Sequence, residues 1–536
     1  MKNKVFLLIS LLSAGISVFA CTNFMAGKNA TTDGSTIVTY AADSYTLYGA
    51  LQLLPAADHN EGDMRKIVDW DSGKLLGEIP EVKHTYSVVG NMNEHQVTIG
   101  ETTFGGRHEL VDTTGIIDYG SLIYIALQRS RTAREAISTM TSLVEKYGYY
   151  SEGESFSIAD PEEVWIMEMV GKGAGSKGAV WVATRVPDDM VCAHANQARI
   201  DKINFKDKKN WLYSKDVVKF AREKGWFNGK DQDFSFCDTY CPADMLGLYG
   251  CEGRVWSFFR KVKDGMDKYL PYILGESKEK MPLFIKPDRL LSAQDFKLFM
   301  RDMYEGTPLD ILQGTDAGPW HSKLRYGGLG FKLDSVQYWF ERPTATQQTG
   351  WSFVAQMRSY TKEQAGGILW FGVDDAATNV YMPIYSNISA VPWCLSPNNG
   401  DLITYSSTAA FWVFNAVANF AYSKYDAMLP DIRKRQQSWE TYLNNIVVET
   451  DSLVSTMSVD EASKHLTRFC AEQAEKVTAS WRELGQYLLV KYLDGQQKKE
   501  KNGKFKRTKE GECAYPLRPT YNEEYLRLIA PEIRHE

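Results

Sequence analysis

The chain has 536 residues, 24% of them charged and 44% hydrophobic, with a formal net charge of -6. That length supports one large core or two to three domains, and the mildly acidic balance offers no electrostatic footprint for nucleic acid or an anionic membrane. The 29 Tyr and 14 Trp suit a packed globular protein and argue against an intrinsically disordered one.

Residues 1–20 read as a secretory signal peptide. Lys2 and Lys4 precede an apolar run from Val5 to Phe19, and Val18 and Ala20 occupy the -3 and -1 positions of a cut before Cys21. The run is shorter than the ~18 to 20 apolar residues of a membrane span, and no later stretch is long and apolar enough. The expectation is an exported, periplasmic or extracellular protein with no stable membrane insertion after the cut. The junction SVFACTNF (17–24) leaves three readings of Cys21 open: a lipid attachment point, a structural thiol, or a nucleophile at a new N-terminus. Phe19 fits poorly the Leu-small-small-Cys pattern of lipoproteins.

CTNFMAG (21–27) and STIVTYAA (35–42) flank turn formers and predict a hairpin. TYSVVG (85–90) and QVTIGET (96–102) predict a second hairpin around NMNEH. Apolar residues at helical spacing predict one helix over about 120–147, closed by Gly148. Four strand-like runs follow over 154–195, with GKGAGSKG (171–178) as a hairpin loop rather than a phosphate loop. Residues 205–330 are mixed, 335–393 return to strands, and from 407 onward the pattern is helical. The run QQKKEKNGKFKRTKEG (496–511) reads as a solvated loop. Strands, a helix, more strands and then helices give an α+β class of packed layers. The domain reading is a signal peptide (1–20), one catalytic domain (21–430), and a C-terminal helical region (431–536) packed on it.

The cysteines number eight, sparse for an exported disulfide scaffold. Cys237, Cys241 and Cys251 lie close enough in sequence for one local disulfide or free thiols; a zinc site there lacks a second ligand pair. Cys21 differs from the others because a cut after Ala20 gives it two reactive groups. The thiol is a nucleophile, and the freed α-amine, with a pKa of about 7.7 to 8.0, can take its proton and return it to a leaving amine. No H-E-x-x-H and no G-x-S-x-G motif competes. His194 reads as structural, and His321 lies in a loop open to a substrate. Asp374 and Asp375 point to opposite faces of a strand, so they do not form one acid–base site.

CTNFMAGKNATTDGSTIVTYAADS resembles the start of the Ntn (N-terminal-nucleophile) cysteine dipeptidases, relatives of bile-salt hydrolases and penicillin V acylases. The resemblance continues in GNMNEHQVTIGETTFGGR (90–107), ESFSIADPEEVWIMEMVGKG (154–173), WVATRVPDDMVCAHANQARI (181–200), GRVWSFF (253–259) and LWFGVDDAATNVYMPIY (369–385). It implies a four-layer αββα sandwich, to which the C-terminal helices are an addition, and hydrolysis of dipeptides of broad specificity with no metal or organic cofactor. It further implies Cys21 as nucleophile, Asp43 orienting it, Asn93 and Asn196 at the oxyanion or the amine, and Arg254 in the site. Tyr40 stands where related sequences often carry arginine. The alternatives are an amidase of N-acyl amino acids or bile-acid conjugates, and a non-catalytic lipid-anchored binding protein of the same fold. The partners expected are dipeptide substrates, and nothing in the sequence bars a homo-oligomer.

Overall fold

Short β-rich runs separated by turn formers build the first half of the chain. The computed structural model describes residues 21–534, so the expected signal peptide lies outside the described residues. β1 (Asn23–Ala26) and β2 (Thr36–Asp43) form the expected antiparallel hairpin, with Met25 opposite Val38. β3 (Leu53–Leu54), β4 (Val88–Val89), β5 (Met92–Asn93) and β6 (Thr98–Gly105) follow. The expected second hairpin is corrected here. The two runs do not pair directly, because β5 lies between them, with Val88 opposite Asn93 and Met92 opposite Thr98.

The predicted single helix is also two: α1 (Tyr119–Arg129) and α2 (Ala133–Tyr147). Ser130 leaves the helical region at φ -132° and ψ 141°. Thr132 then caps α2 by accepting from the Glu135 N–H at 3.2 Å. Gly148 ends α2 at φ +80°, a conformation that favours glycine.

The four expected strands over 154–195 are β7 (Gly153–Ala159), β8 (Val164–Gly171), β9 (Ala179–Arg185) and β10 (Val191–His194), with the glycine-rich loop joining β8 to β9. After β11 (Trp211–Tyr213) come α3 (Gly253–Val262), β12 (Phe284–Ile285), β13 (Thr349–Met357), β14 (Gly367–Val373) and β15 (Met382–Tyr385). Three helices follow: α4 (Ala410–Tyr422), α5 (Tyr425–Val454) and α6 (Val459–Tyr492). Ser458 and Glu461 close a capping box at the start of α6.

The strands form two sheets whose pairs are antiparallel. One has the order β12-β10-β1-β2-β13-β14-β15, the other β11-β9-β8-β7-β6-β5-β4-β3. β1 and β2 pack across onto β6 and β7. Gly100 in β6 permits this approach, since a Cβ there would stand 2.5 Å from the Asn23 side-chain amide. α1 and α2 pack on the eight-stranded sheet, burying Ile125, Ile137, Phe156 and Trp165. α4, α5 and α6 cover the seven-stranded sheet. Their buried Leu443, Leu466 and Trp481 belong to the same core as Phe24 and Phe353, and Trp481 stacks on Phe414 at 5.0 Å. The expected boundary between residues 430 and 431 falls inside α5. Among the described residues no helix is long and apolar enough to cross a membrane.

Candidate active site

Cys21 sits just before β1, where Thr22 bridges to β2: its N–H donates to the Ala41 carbonyl at 3.3 Å and its carbonyl accepts from the Ala41 N–H at 3.0 Å. Cys21 is 3% exposed and lines a narrow recess, with room of about 30 Å³, walled by Trp70, Tyr119, Tyr124 and Trp351. Two acceptors lie near its proton, Glu101 Oε1 at 3.6 Å and the Tyr40 hydroxyl at 3.7 Å. The Tyr40 hydroxyl itself donates to Glu101 Oε1. Burial pushes the Cys21 thiol well above its usual range, and the charges of Glu101 and Asp43 add to that rise. The Asp43 backbone N–H and the Tyr40 hydroxyl act the other way without reversing it. With the Ala20–Cys21 peptide bond intact, the thiol stays protonated at neutral pH. Tyr40 at the expected arginine position brings no charge, and among the described residues no Lys or Arg lines the recess.

The Cys21 backbone is gripped from α3. Arg254 is 1% exposed. Its Nη1 donates to the Cys21 carbonyl at 2.6 Å and to Thr22 Oγ1 at 2.8 Å. Its Nη2 donates to the Ala195 carbonyl at 3.1 Å and to Asn196 Oδ1 at 3.0 Å. The planar guanidinium fork suits this task, joining two chain segments through two edges of one rigid group. A π-helical turn over Leu246–Glu252 leads into α3, and Arg254 Nε donates to its Gly250 carbonyl at 2.9 Å. Asn196 adopts φ +62° and donates through Nδ2 to the Thr103 carbonyl at 2.7 Å. It lines a neighbouring cleft of about 310 Å³ with Arg107, Gln197 and Cys251. Asp43 is buried; its Oδ2 accepts from Arg342 Nη2 at 2.8 Å and its Oδ1 from Thr349 Oγ1 at 2.6 Å. Burial raises the Asp43 pKa despite the opposing pull of Arg342, Thr349 and Arg254.

A family model described as peptidase family C69 matches residues 53–438. The chain belongs to peptidase family C69. Similar proteins include a "Probable dipeptidase" of Latilactobacillus sakei, 24% identical over 83% of this chain and 89% of its own length. A "Dipeptidase" of Bifidobacterium longum is 21% identical over 85% of this chain and 87% of its own. "Dipeptidase A" of Lactobacillus helveticus is 22% identical over 83% and 91%. The family match begins after Cys21 and Asp43, so the geometry above carries their assignment.

Of the residues expected in this C69 site, Cys21, Asp43, Arg254 and Asn196 form one connected cluster and Asn93 does not. Asn93 Nδ2 donates to the Leu127 and Ser130 carbonyls, both at 2.7 Å, and its Oδ1 accepts from the His95 and Val97 N–H groups at 3.0 and 2.9 Å. Its amide satisfies carbonyls left open where α1 ends, which also explains the break between α1 and α2. Asn91, two residues earlier, lines the recess instead. His194 bridges Thr102 Oγ1 and Ser157 Oγ at 2.7 Å each, a structural tie between the sheets. His321 meets the Leu312 carbonyl at 2.7 Å and does not line the recess. Asp374 and Asp375 lie just past the end of β14 rather than on a strand as expected, with Asp374 at φ +63°; Asp375 pairs with Lys323 at 2.5 Å while Asp374 accepts from Asn415 at 2.8 Å, so the two carboxylates still have different partners. Cys237, Cys241 and Cys251 are free thiols, one of the two states the sequence left open.

Two participants escape sequence reasoning. Glu101 is one; its signal was a lone carboxylate in the otherwise uncharged run VTIGETTFGG, a pattern that places a charge in the interior. Arg342, the partner of Asp43, carried no local signal at all.

Proposed function

We propose that this chain is an exported cysteine dipeptidase of the Ntn type, a four-layer αββα sandwich extended by C-terminal helices. A cut after Ala20 frees the Cys21 α-amine beside its own thiol. The amine takes the thiol proton as Sγ attacks the peptide carbonyl, then passes it to the departing amine, leaving a thioester. Water attacks the thioester as the same amine takes its proton, the C–S bond breaks, the proton returns to Sγ, and the acid product leaves. Arg254 fixes the Cys21 carbonyl and therefore the direction of both reactive groups. Asp43, braced by Arg342 and Thr349, orients the Cys21 residue. Asn196, held by Arg254 at the edge of the neighbouring cleft, serves the Cys21 amine or the oxyanion, where one donor is worth about 3 to 4 kcal/mol. Asn93 is a positioning residue acting through the end of α1.

The observation that carries this reading is a buried thiol at the base of a recess, on the residue that a signal-type cut would expose, with Arg254 clamping its carbonyl. The names of the relatives support dipeptides as the substrate class. The test is the mature protein. Its intact mass and N-terminal sequence should show an unmodified Cys21, and it should hydrolyse dipeptides but not glycine-conjugated bile acids. Cys21→Ala should abolish turnover with the thermal melt retained. Turnover surviving Cys21→Ala, or a mass increment for lipid and acyl groups, would overturn the mechanism.

A further inference from the structure

The recess over Cys21 contains negative charge that the chemistry above leaves unused. Glu101 is 2% exposed and Glu154 is 1% exposed. Glu101 Oε1 serves Tyr40 and Cys21, and Glu154 Oε1 accepts from Thr103 Oγ1 at 2.8 Å. Among the described residues no N–H or hydroxyl donor reaches Glu101 Oε2 or Glu154 Oε2, and the two carboxyl groups lie within hydrogen-bonding reach of each other. Burial raises both acids, and their carboxyl groups interact with each other. Two carboxyl groups this close resist ionising together, so the pair carries at most about one negative charge. Among the described residues no Lys, Arg or His lines the recess, so the cations able to balance a buried charge there are the freed Cys21 α-ammonium and a cationic group on the substrate. The walls are aromatic, Trp70, Tyr119, Tyr124 and Trp351, a lining type that favours a cation.

We infer that Glu101 binds the α-ammonium group of the first residue of the peptide substrate, so that the site selects unblocked N-termini. The inference rests on the dipeptidase reading of this recess and adds the subsite that recognises the substrate. Distances support it. The amine nitrogen and carbonyl carbon of one residue are about 2.5 Å apart. A sulfur poised for attack lies about 3.3 Å from that carbon, and a carboxylate oxygen about 2.8 Å from the ammonium nitrogen. Both fit around one residue when sulfur and carboxylate are neighbours, and Sγ to Glu101 Oε1 is 3.6 Å. Attack one residue further along would move the carbonyl about 3.8 Å away from the bound amine. The thiol–carboxylate spacing thus acts as a ruler for cleavage after the first residue.

The test uses the mature protein, with Ala-Ala and N-acetyl-Ala-Ala as probes. Calorimetry on Cys21→Ala reads binding without turnover, and kcat/KM is measured with Cys21 present. The free dipeptide should bind about 10- to 100-fold tighter than the acetylated one, the range of a hydrogen bond to a charged group. Glu101→Gln should weaken only the free dipeptide and erase the preference, whereas Glu154→Gln, which keeps the Glu101 charge, should retain it. If Glu101→Gln does not fold, the preference of the parent protein between the two probes decides. Equal handling of both probes overturns the subsite while the dipeptidase reading stands. An equal loss for both in Glu101→Gln overturns it too, and makes Glu101 a partner of the thiol or of the Cys21 amine. Glu101-dependent binding of Ala-Ala with no cleavage by the parent protein supports the subsite and refutes the dipeptidase reading.

Discussion

Replacing Arg254 by lysine tests the clamp that holds Cys21. The charge survives, but the two-edged fork does not. Arg254 Nη1 serves Cys21 and Thr22 while Nη2 serves Ala195 and Asn196, and one ammonium cannot stand in both places. Lysine therefore leaves at least two of these acceptors without their donor in a site where the parent residue is 1% exposed. Hydrogen bonds to charged groups are worth about 1.5 to 3 kcal/mol each, and neighbours in one network are not additive. A loss of about 3 kcal/mol in stability is expected. Urea unfolding of the mature protein, read from the shift in midpoint at constant slope, measures it. Dipeptide turnover should fall at least about tenfold in parallel, because a carbonyl freed from its clamp lets the nucleophile wander. An Arg254→Lys protein with an unchanged midpoint and unchanged turnover would refute the clamp.

Two further outcomes follow from buried charges. Asp43→Asn strips the carboxylate from Arg342 and leaves a buried guanidinium facing an amide; it should cost about 3 kcal/mol. Arg342→Met added to it should cost much less than it does alone, a coupling that a double-mutant cycle in urea would read. His194 is pushed down to about 3, by burial first and then by Arg199 and Arg254, against about 6.5 in an unfolded chain. Its folded pKa is depressed, so its contribution is full above pH 6.5 and is lost as pH falls from there toward 3, by roughly 4 to 5 kcal/mol in all. Stability of His194→Gln should therefore fall less steeply between pH 6.5 and 4 than that of the parent, and a parallel slope would refute the assignment.

Local elements were legible wherever local physics decides them. The β1–β2 hairpin, the runs β7 to β10 and the long C-terminal helices follow from apolar periodicity and turn formers within each segment. The errors have the same origin. The helix over 120–147 broke in two because Asn93, more than thirty residues upstream, satisfies carbonyls at the end of α1. β10 follows β9 in the chain yet pairs with β1 in the other sheet, and a run buried on both faces carries no alternation to announce that choice.

The site divides along the same line. Cys21 could be picked out from the sequence because its chemistry depends on covalent position, at a junction that a cut would turn into an N-terminus. Asn196 and Arg254 could be picked out because their surrounding blocks resemble a known family. What each side chain does was decided by the tertiary structure. Glu101 meets the thiol across 80 residues of chain, Arg254 meets Asn196 across 58, and Arg342 meets Asp43 across 299. Burial turns those meetings into shifted proton affinities, and burial depends on how the two sheets close over one another.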